Sequence, residues 1–132
     1  MDCIFCKIAA KEIGSEMIYE DEHVVAFLDI HPMTPGHTVV IPKVHAENII
    51  GLPESEVAPL FEAVKKITAL LQGKLNPRGF TIGINHGTDQ GVDHIHVHVV
   101  PRYVGDGGGS IHSIVKYSLG EPLSAIRDRI VG

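Results

Sequence analysis

The chain has 132 residues, 44% of them hydrophobic, and a net charge of −5 with histidine neutral. That length fits one domain over residues 1–132. The apolar content is too high for disorder, and the acidic balance argues against a nucleic-acid partner while leaving room for a phosphate-bearing small molecule in a locally positive pocket.

No apolar run approaches the length that spans a bilayer, so no membrane partner is expected. The N-terminal run Met1-Asp2-Cys3-Ile4-Phe5-Cys6-Lys7 lacks the basic and long apolar regions of a secretion signal, which predicts a cytoplasmic location. Within residues 1–12, Ile4, Phe5 and Ile8 share one face of a helical turn. Residues 17–19 and 24–28 read as short strands about an acidic turn at 20–22. Residues 31–36 hold two prolines and a glycine and read as a turn. The β-branched run 37–41 reads as a third strand closed by Pro42.

From Val57 the apolar positions Leu60, Phe61, Val64, Ile67 and Leu71 follow steps of three and four, the pattern of an amphipathic helix. Pro59 is expected in its first turn or at a kink, and Gly73 at its end. Residues 79–84 read as a strand, 85–93 as a polar loop and 94–100 as a strand ending at Pro101. The glycine-rich run 105–110 reads as a flexible connection and matches no phosphate-binding loop. Pro122 opens a short final helix with Leu123, Ile126 and Ile130 on one side. Strands, helix, strands and helix in that order predict an α+β domain: a largely antiparallel sheet, one long helix and a short C-terminal helix.

The most informative segment is His94-Ile95-His96-Val97-His98-Val99-Val100. A strand sends alternate side chains to opposite faces. All three imidazoles therefore share one face, about 6.5–7 Å apart along the strand, and Ile95, Val97 and Val99 share the other. Three groups titrating near neutrality on one rigid element suit an anion, a metal or a nucleophilic reaction. Cys3 and Cys6, the only cysteines, form a Cys-x-x-Cys pair. From spacing alone, metal binding, redox activity and incidental thiols all stay open.

The run His94-Ile-His96-Val-His98-Val-Val resembles the His-φ-His-φ-His-φ-φ signature (φ apolar) of the histidine-triad, or HIT, family. Further blocks agree in order: Cys3-Ile-Phe-Cys-Lys-Ile8, which resembles the zinc-containing prokaryotic branch, then residues 26–30, Gly36-His37-Thr-Val-Val-Ile41-Pro42-Lys43-x-His45, and Gln90 four residues before His94. The resemblance covers about residues 3–103. It implies a HIT-like fold, a homodimer, and a hydrolase or transferase acting on the α-phosphate of a purine ribonucleotide, such as an AMP derivative. Adenosine 5'-phosphoramidate-type and dinucleoside polyphosphate substrates both fit.

By the same resemblance, His96 is the nucleophile, and His98 and His37 bind the α-phosphate. Asp29 accepts from the ribose hydroxyls, and Ile4, Phe5, Ile8, Phe27 and Ile30 wall the base cleft. Asn85 and Gln90 belong to the loop that contacts phosphate and leaving group. Here that loop, Asn85-His-Gly-Thr-Asp-Gln90-Gly91, departs from the family pattern: it looks shorter, and Gly91 stands where relatives carry Ser or Thr. Asp93 offers a carboxylate next to the triad as a second partner for a histidine. Cys3, Cys6, His45 and His94 are the implied ligands of a structural zinc, a donor set suited to a closed tetrahedral site. Three other readings compete: a hydrolase holding a catalytic metal on His94, His96 and His98, a nucleotide-binding regulatory module without turnover, and a thioredoxin-like redox role for the cysteine pair.

Overall fold

The structure is a computed structural model that describes residues 2–132. Five strands form one antiparallel sheet in the order β1-β2-β3-β5-β4: β1 (Met17–Glu20), β2 (Val24–Leu28), β3 (Thr38–Pro42), β4 (Gly79–Gly83) and β5 (Val97–Arg102). Helix α1 (Ile4–Ala9) precedes them, α2 (Glu54–Leu75) separates β3 from β4, and α3 (Leu123–Val131) ends the chain. The α+β expectation therefore holds. No helix of the described residues is long and apolar enough to cross a membrane.

Strands β2 and β3 read as unbroken apolar runs because both sheet faces are covered. On one face Val24, Ala26, Val40, Val97 and Val99 pack with Ile95 against Leu60, Val64, Ile67 and Leu71 of α2. The α2 stripe thus faces its own sheet. On the other face Val25, Phe27, Val39 and Ile41 pack against Ile8, with Phe5 alongside. Among the described residues nineteen hydrophobic side chains are buried, enough apolar surface to hold both layers.

The punctuation by Pro and Gly differs from expectation in several places. Helix α2 begins at Glu54, after Pro53, which puts Pro59 in the second turn. It also runs past Gly73 to Leu75, because Asn76 supplies the left-handed cap (φ 49°) and donates its N–H to Gln72. Strand β5 begins at Val97, not His94: the N–H of Ile95 is committed to the carbonyl of Ala46 outside the ladder. It then continues through Pro101 to Arg102. Strand β3 pairs with β5 only over residues 97–99, so the N–H that Pro101 lacks leaves no ladder bond unmade there. The Pro101 carbonyl accepts from the Thr34 hydroxyl at 2.7 Å.

Residues 105–110 are more than a loose connection. The Asp106 carboxylate accepts from Arg102 Nε (2.8 Å) and Nη2 (3.1 Å) and from the backbone of Tyr103 and Gly108. In α3 the expected stripe adds nothing to the core, since Leu123 and Ile130 are about three-quarters exposed (74% and 76%).

Gly36 sets the entry to β3 with φ +90°, a conformation that L side chains rarely adopt. A Cβ there would collide with Leu75 of α2 and crowd Pro101. Gly36→Ala should therefore lower unfolding stability by more than about 1 kcal/mol in denaturant titration; an unchanged midpoint would show that this turn relaxes freely.

Candidate active site and metal centre

The sheet face opposite α2 carries His96 and His98 on β5 and its lead-in, with His37 at the start of β3. The rings of His96 and His98 lean together, with centroids 5.1 Å apart, closer than the strand repeat alone would set them. Phe5 from α1 meets His96 edge-on at 5.0 Å. His96 and His98 line a cleft of about 380 Å³ walled by Ile4, Phe5, Ile8 and Phe27, with Asp29 and Ile30 also in its lining. Ile30 is 81% exposed, whereas Phe27 and Ile8 are buried.

Backbone partners determine which ring nitrogen carries each proton. A carbonyl can only accept, so the 2.8 Å contact between His96 Nδ1 and the carbonyl of His94 puts the proton on Nδ1. The lone pair of neutral His96 is then on Nε2. The N–H of Met33 donates to His37 Nδ1 at 3.0 Å, so neutral His37 carries its proton on Nε2. That N–H donates to His98 Nδ1 at 2.9 Å, which leaves the proton of neutral His98 on its own Nε2. In their neutral forms the two rings differ, with the lone pair of His96 and the N–H of His98 both on Nε2.

Asp29 lies beside this relay. Its Oδ2 is 3.5 Å from His37 Nε2 and 3.9 Å from His98 Nδ1, while Oδ1 accepts from the N–H of His31. Burial pushes the pKa of His37 below the ordinary histidine range, against the pull of Asp29. Burial does the same to His98, helped by the neighbouring His96 and His37.

The second constellation meets at the other end of the same segment. Cys3 Sγ is 3.4 Å from His94 Nδ1, and Cys6 Sγ is 3.5 Å from His94 Nδ1 and 3.3 Å from His45 Nδ1. All four donor atoms lie within 4.8 Å of one another. A tetrahedral centre with sulfur at about 2.3 Å and nitrogen at about 2.0–2.1 Å has sulfur–nitrogen edges of about 3.5 Å. The observed separations match that size, so this group could hold a metal. His94 Nε2–H donates to the Pro42 carbonyl at 2.9 Å, which leaves Nδ1 free to face the cysteines. Burial and the neighbouring Cys3 push the Cys6 thiol up to about 11, so a cation entering here must displace a proton.

The rival in which His94, His96 and His98 share one metal is not met. Their accessible nitrogens turn to different partners, and among the described residues the three form no common ligand group.

The remaining loop residues divide. Gln90 lines the cleft but is buried, and both ends of its amide hold the loop: Nε2 donates to the Glu47 carbonyl and Oε1 accepts from the N–H of Gly87. Asn85 is exposed and is not among the described residues lining the cleft, and Asp93 is exposed as well. Three features lay outside the sequence reading. Ile13 and Val92 complete the cleft walls, and the Met33 amide fixes the tautomer of His37. Nothing in their local sequence signals these roles.

The chain resembles known proteins in sequence and in fold. The HIT domain family model matches residues 10–105. The chain is 48% identical over 107 residues to an uncharacterised HIT-like protein of Methanocaldococcus jannaschii, covering 80% of this chain and 82% of that one. It is 38% identical over 104 residues to adenosine 5'-monophosphoramidase of Schizosaccharomyces pombe, covering 77% and 75%. A crystal structure of a HIT family member from Bacillus subtilis superposes with a TM-score of 0.86 at 41% identity, covering 98% of this chain and 95% of that one. A Zn-bound histidine triad family protein from Mycobacterium smegmatis gives 0.76 at 41% identity, covering 81% and 79%. The chain belongs to the HIT family.

The buried neutral rings make stability depend on pH. His37 and His98 are held neutral in the folded state, whereas the unfolded chain takes up their protons near pH 6.5. Their contribution is complete above about pH 6.5 and is lost as pH falls through the lowered folded-state values. Thermal unfolding should therefore shift to lower temperature between pH 7 and pH 5, with a smaller shift in His98→Asn. An equal shift in both proteins would place the titration elsewhere.

Proposed function

We propose that the protein hydrolyses or transfers the nucleotidyl group of a purine ribonucleotide, using His96 as nucleophile and releasing a nucleoside monophosphate. The observation that carries this reading is the bond from His96 Nδ1–H to the His94 carbonyl, which puts the lone pair of the neutral ring on Nε2. In this reading Nε2 attacks the α-phosphorus, and the leaving group departs with the electron pair of its bond and is protonated by solvent. Water then attacks the same phosphorus and gives its proton to solvent, and the phosphorus–nitrogen bond breaks with its electron pair returning to His96 Nε2. The Nε2–H of His98, held in place by His37, donates to phosphate oxygens as charge grows on them. Asp29 in the cleft lining accepts from the ribose hydroxyls, and the walls formed by Phe5, Ile8 and Phe27 bury the base. The phosphoramidase name carried by the fission yeast relative makes an adenosine 5'-phosphoramidate the first substrate to test.

Zinc is the metal that best suits two thiolates and two imidazoles, and the mycobacterial relative is Zn-bound. Cys3, Cys6, His45 and His94 would hold it, and with all four positions filled by protein it would fix the start of the catalytic segment without entering the reaction.

Two measurements test these statements. Wild type should release AMP from adenosine 5'-phosphoramidate, and His96→Ala should lose at least about a thousandfold in kcat. A variant that binds AMP but whose wild-type parent makes no product would favour the regulatory-module reading. Metal analysis should find one zinc per chain in wild type and far less in Cys6→Ser. Equal zinc in both would place the metal elsewhere.

A further inference from the structure

The bond between His37 and His98 can run in two directions. When two neutral rings share one N–H···N bond, its proton sits either on His37 Nε2 or on His98 Nδ1. In the first arrangement the proton of His98 is on Nε2. In the second, Nε2 of His98 carries only a lone pair and donates nothing. Asp29 does little to choose between them, since its Oδ2 lies 3.5 Å from one of these nitrogens and 3.9 Å from the other. The choice falls to the far side of His37, where the Met33 N–H donates to Nδ1 at 3.0 Å. Reversing the relay would put a proton on Nδ1 facing that N–H. Two donors would then meet with no acceptor between them, beside a ring only 4% exposed.

The Met33 N–H belongs to a turn that is held from outside. The Asp29 N–H donates to the His37 carbonyl at 2.9 Å, and inside the loop so closed the His37 N–H donates to the Thr34 carbonyl at 3.1 Å. Two hydroxyls fasten this loop to the far end of the strand that carries His98. Thr34 donates to the Pro101 carbonyl at 2.7 Å, and Tyr103 donates to the Pro35 carbonyl at 2.8 Å. The Thr34 bond is partly buried and starts at the residue next to Met33, whereas the Tyr103 bond is exposed and competes with water. The Met33 side chain is 75% exposed, so it does little to hold its own amide.

We infer that the Thr34 hydroxyl is a positioning group for the His98 donor. It ties the turn to β5 so that the Met33 N–H stays on His37 Nδ1, and this keeps the proton of neutral His98 on Nε2. Thr34 is not among the described residues lining the nucleotide cleft. The inference rests on the reading of His98 as the group that donates to phosphate, and it adds the residue that sets the direction of that donor.

Nitrogen-15 NMR of histidine-labelled protein at about pH 8 distinguishes a ring nitrogen that carries a proton from one that does not. Wild type should show the proton on Nε2 and none on Nδ1 in both His37 and His98. Thr34→Val and Thr34→Ala lose the hydroxyl, and both should move the two rings toward protonation at Nδ1. Their kcat for AMP release from adenosine 5'-phosphoramidate should fall about tenfold with KM within about twofold, the size of one hydrogen bond lost in the transition state. Thr34→Ser keeps the donor and should return both readouts to within about twofold of wild type. Wild-type proton positions in both hydroxyl-free variants, or shifted positions with an unchanged kcat, would overturn the inference. No AMP from wild type would sink the transfer reading alone, since the NMR comparison of proton positions needs no turnover.

Discussion

His94 is the residue on which the site depends. Its Nδ1 faces Cys3 and Cys6, its Nε2–H is committed to the carbonyl of Pro42 on β3, and its own carbonyl accepts from His96. One buried residue thereby ties the N-terminal segment to the sheet and sets the tautomer of the ring beside it. A buried imidazole with an unmatched nitrogen would be costly. Every polar atom of His94 has a use here, and among the described residues no buried side-chain nitrogen or oxygen lacks a partner. The candidate metal group and the proposed nucleophile are therefore successive stations on one segment.

Low polarity does the rest. The rings of His37 and His98 are kept neutral mainly because burial disfavours their charged forms, and Asp29 opposes this only in part. A neutral His98 that accepts on Nδ1 has its one N–H on Nε2, where it faces away from His37. The same burial makes a directed N–H on His98 stronger than it would be in water. The proposed nucleophile and the proposed donor are the same residue type two positions apart, and what separates them is which backbone or ring partner each Nδ1 finds.

Much of this was legible in the sequence because it is periodic. The alternation of residues 94–100 placed the imidazoles on one face and Ile95, Val97 and Val99 on the other, and the three-four spacing from Val57 marked the helix α2 but left its stripe free to face either a second copy of the chain or its own sheet, where it packs. The bond from Met33 to His37 and the walls supplied by Ile13 and Val92 were not legible, since they depend on where loops return in space. The proline and glycine signals failed where context outweighed propensity. Gly73 remained helical because Asn76 could serve as the cap, and Pro101 stayed in β5 because its β3 neighbour had already ended. The run 105–110 looked featureless because its order comes from one carboxylate, Asp106, that binds both arginine and backbone.

In the proposed reaction His96 Nε2 becomes covalently bonded to phosphorus. Its most direct test is to mix the protein with adenosine 5'-phosphoramidate, quench in base within milliseconds, digest, and locate any adenylate by peptide mass spectrometry. The account predicts one adenylate on His96, absent from zero-time samples and chased by water to free AMP. An adenylate on another residue, or steady AMP release with no labelled peptide at any time, would contradict it.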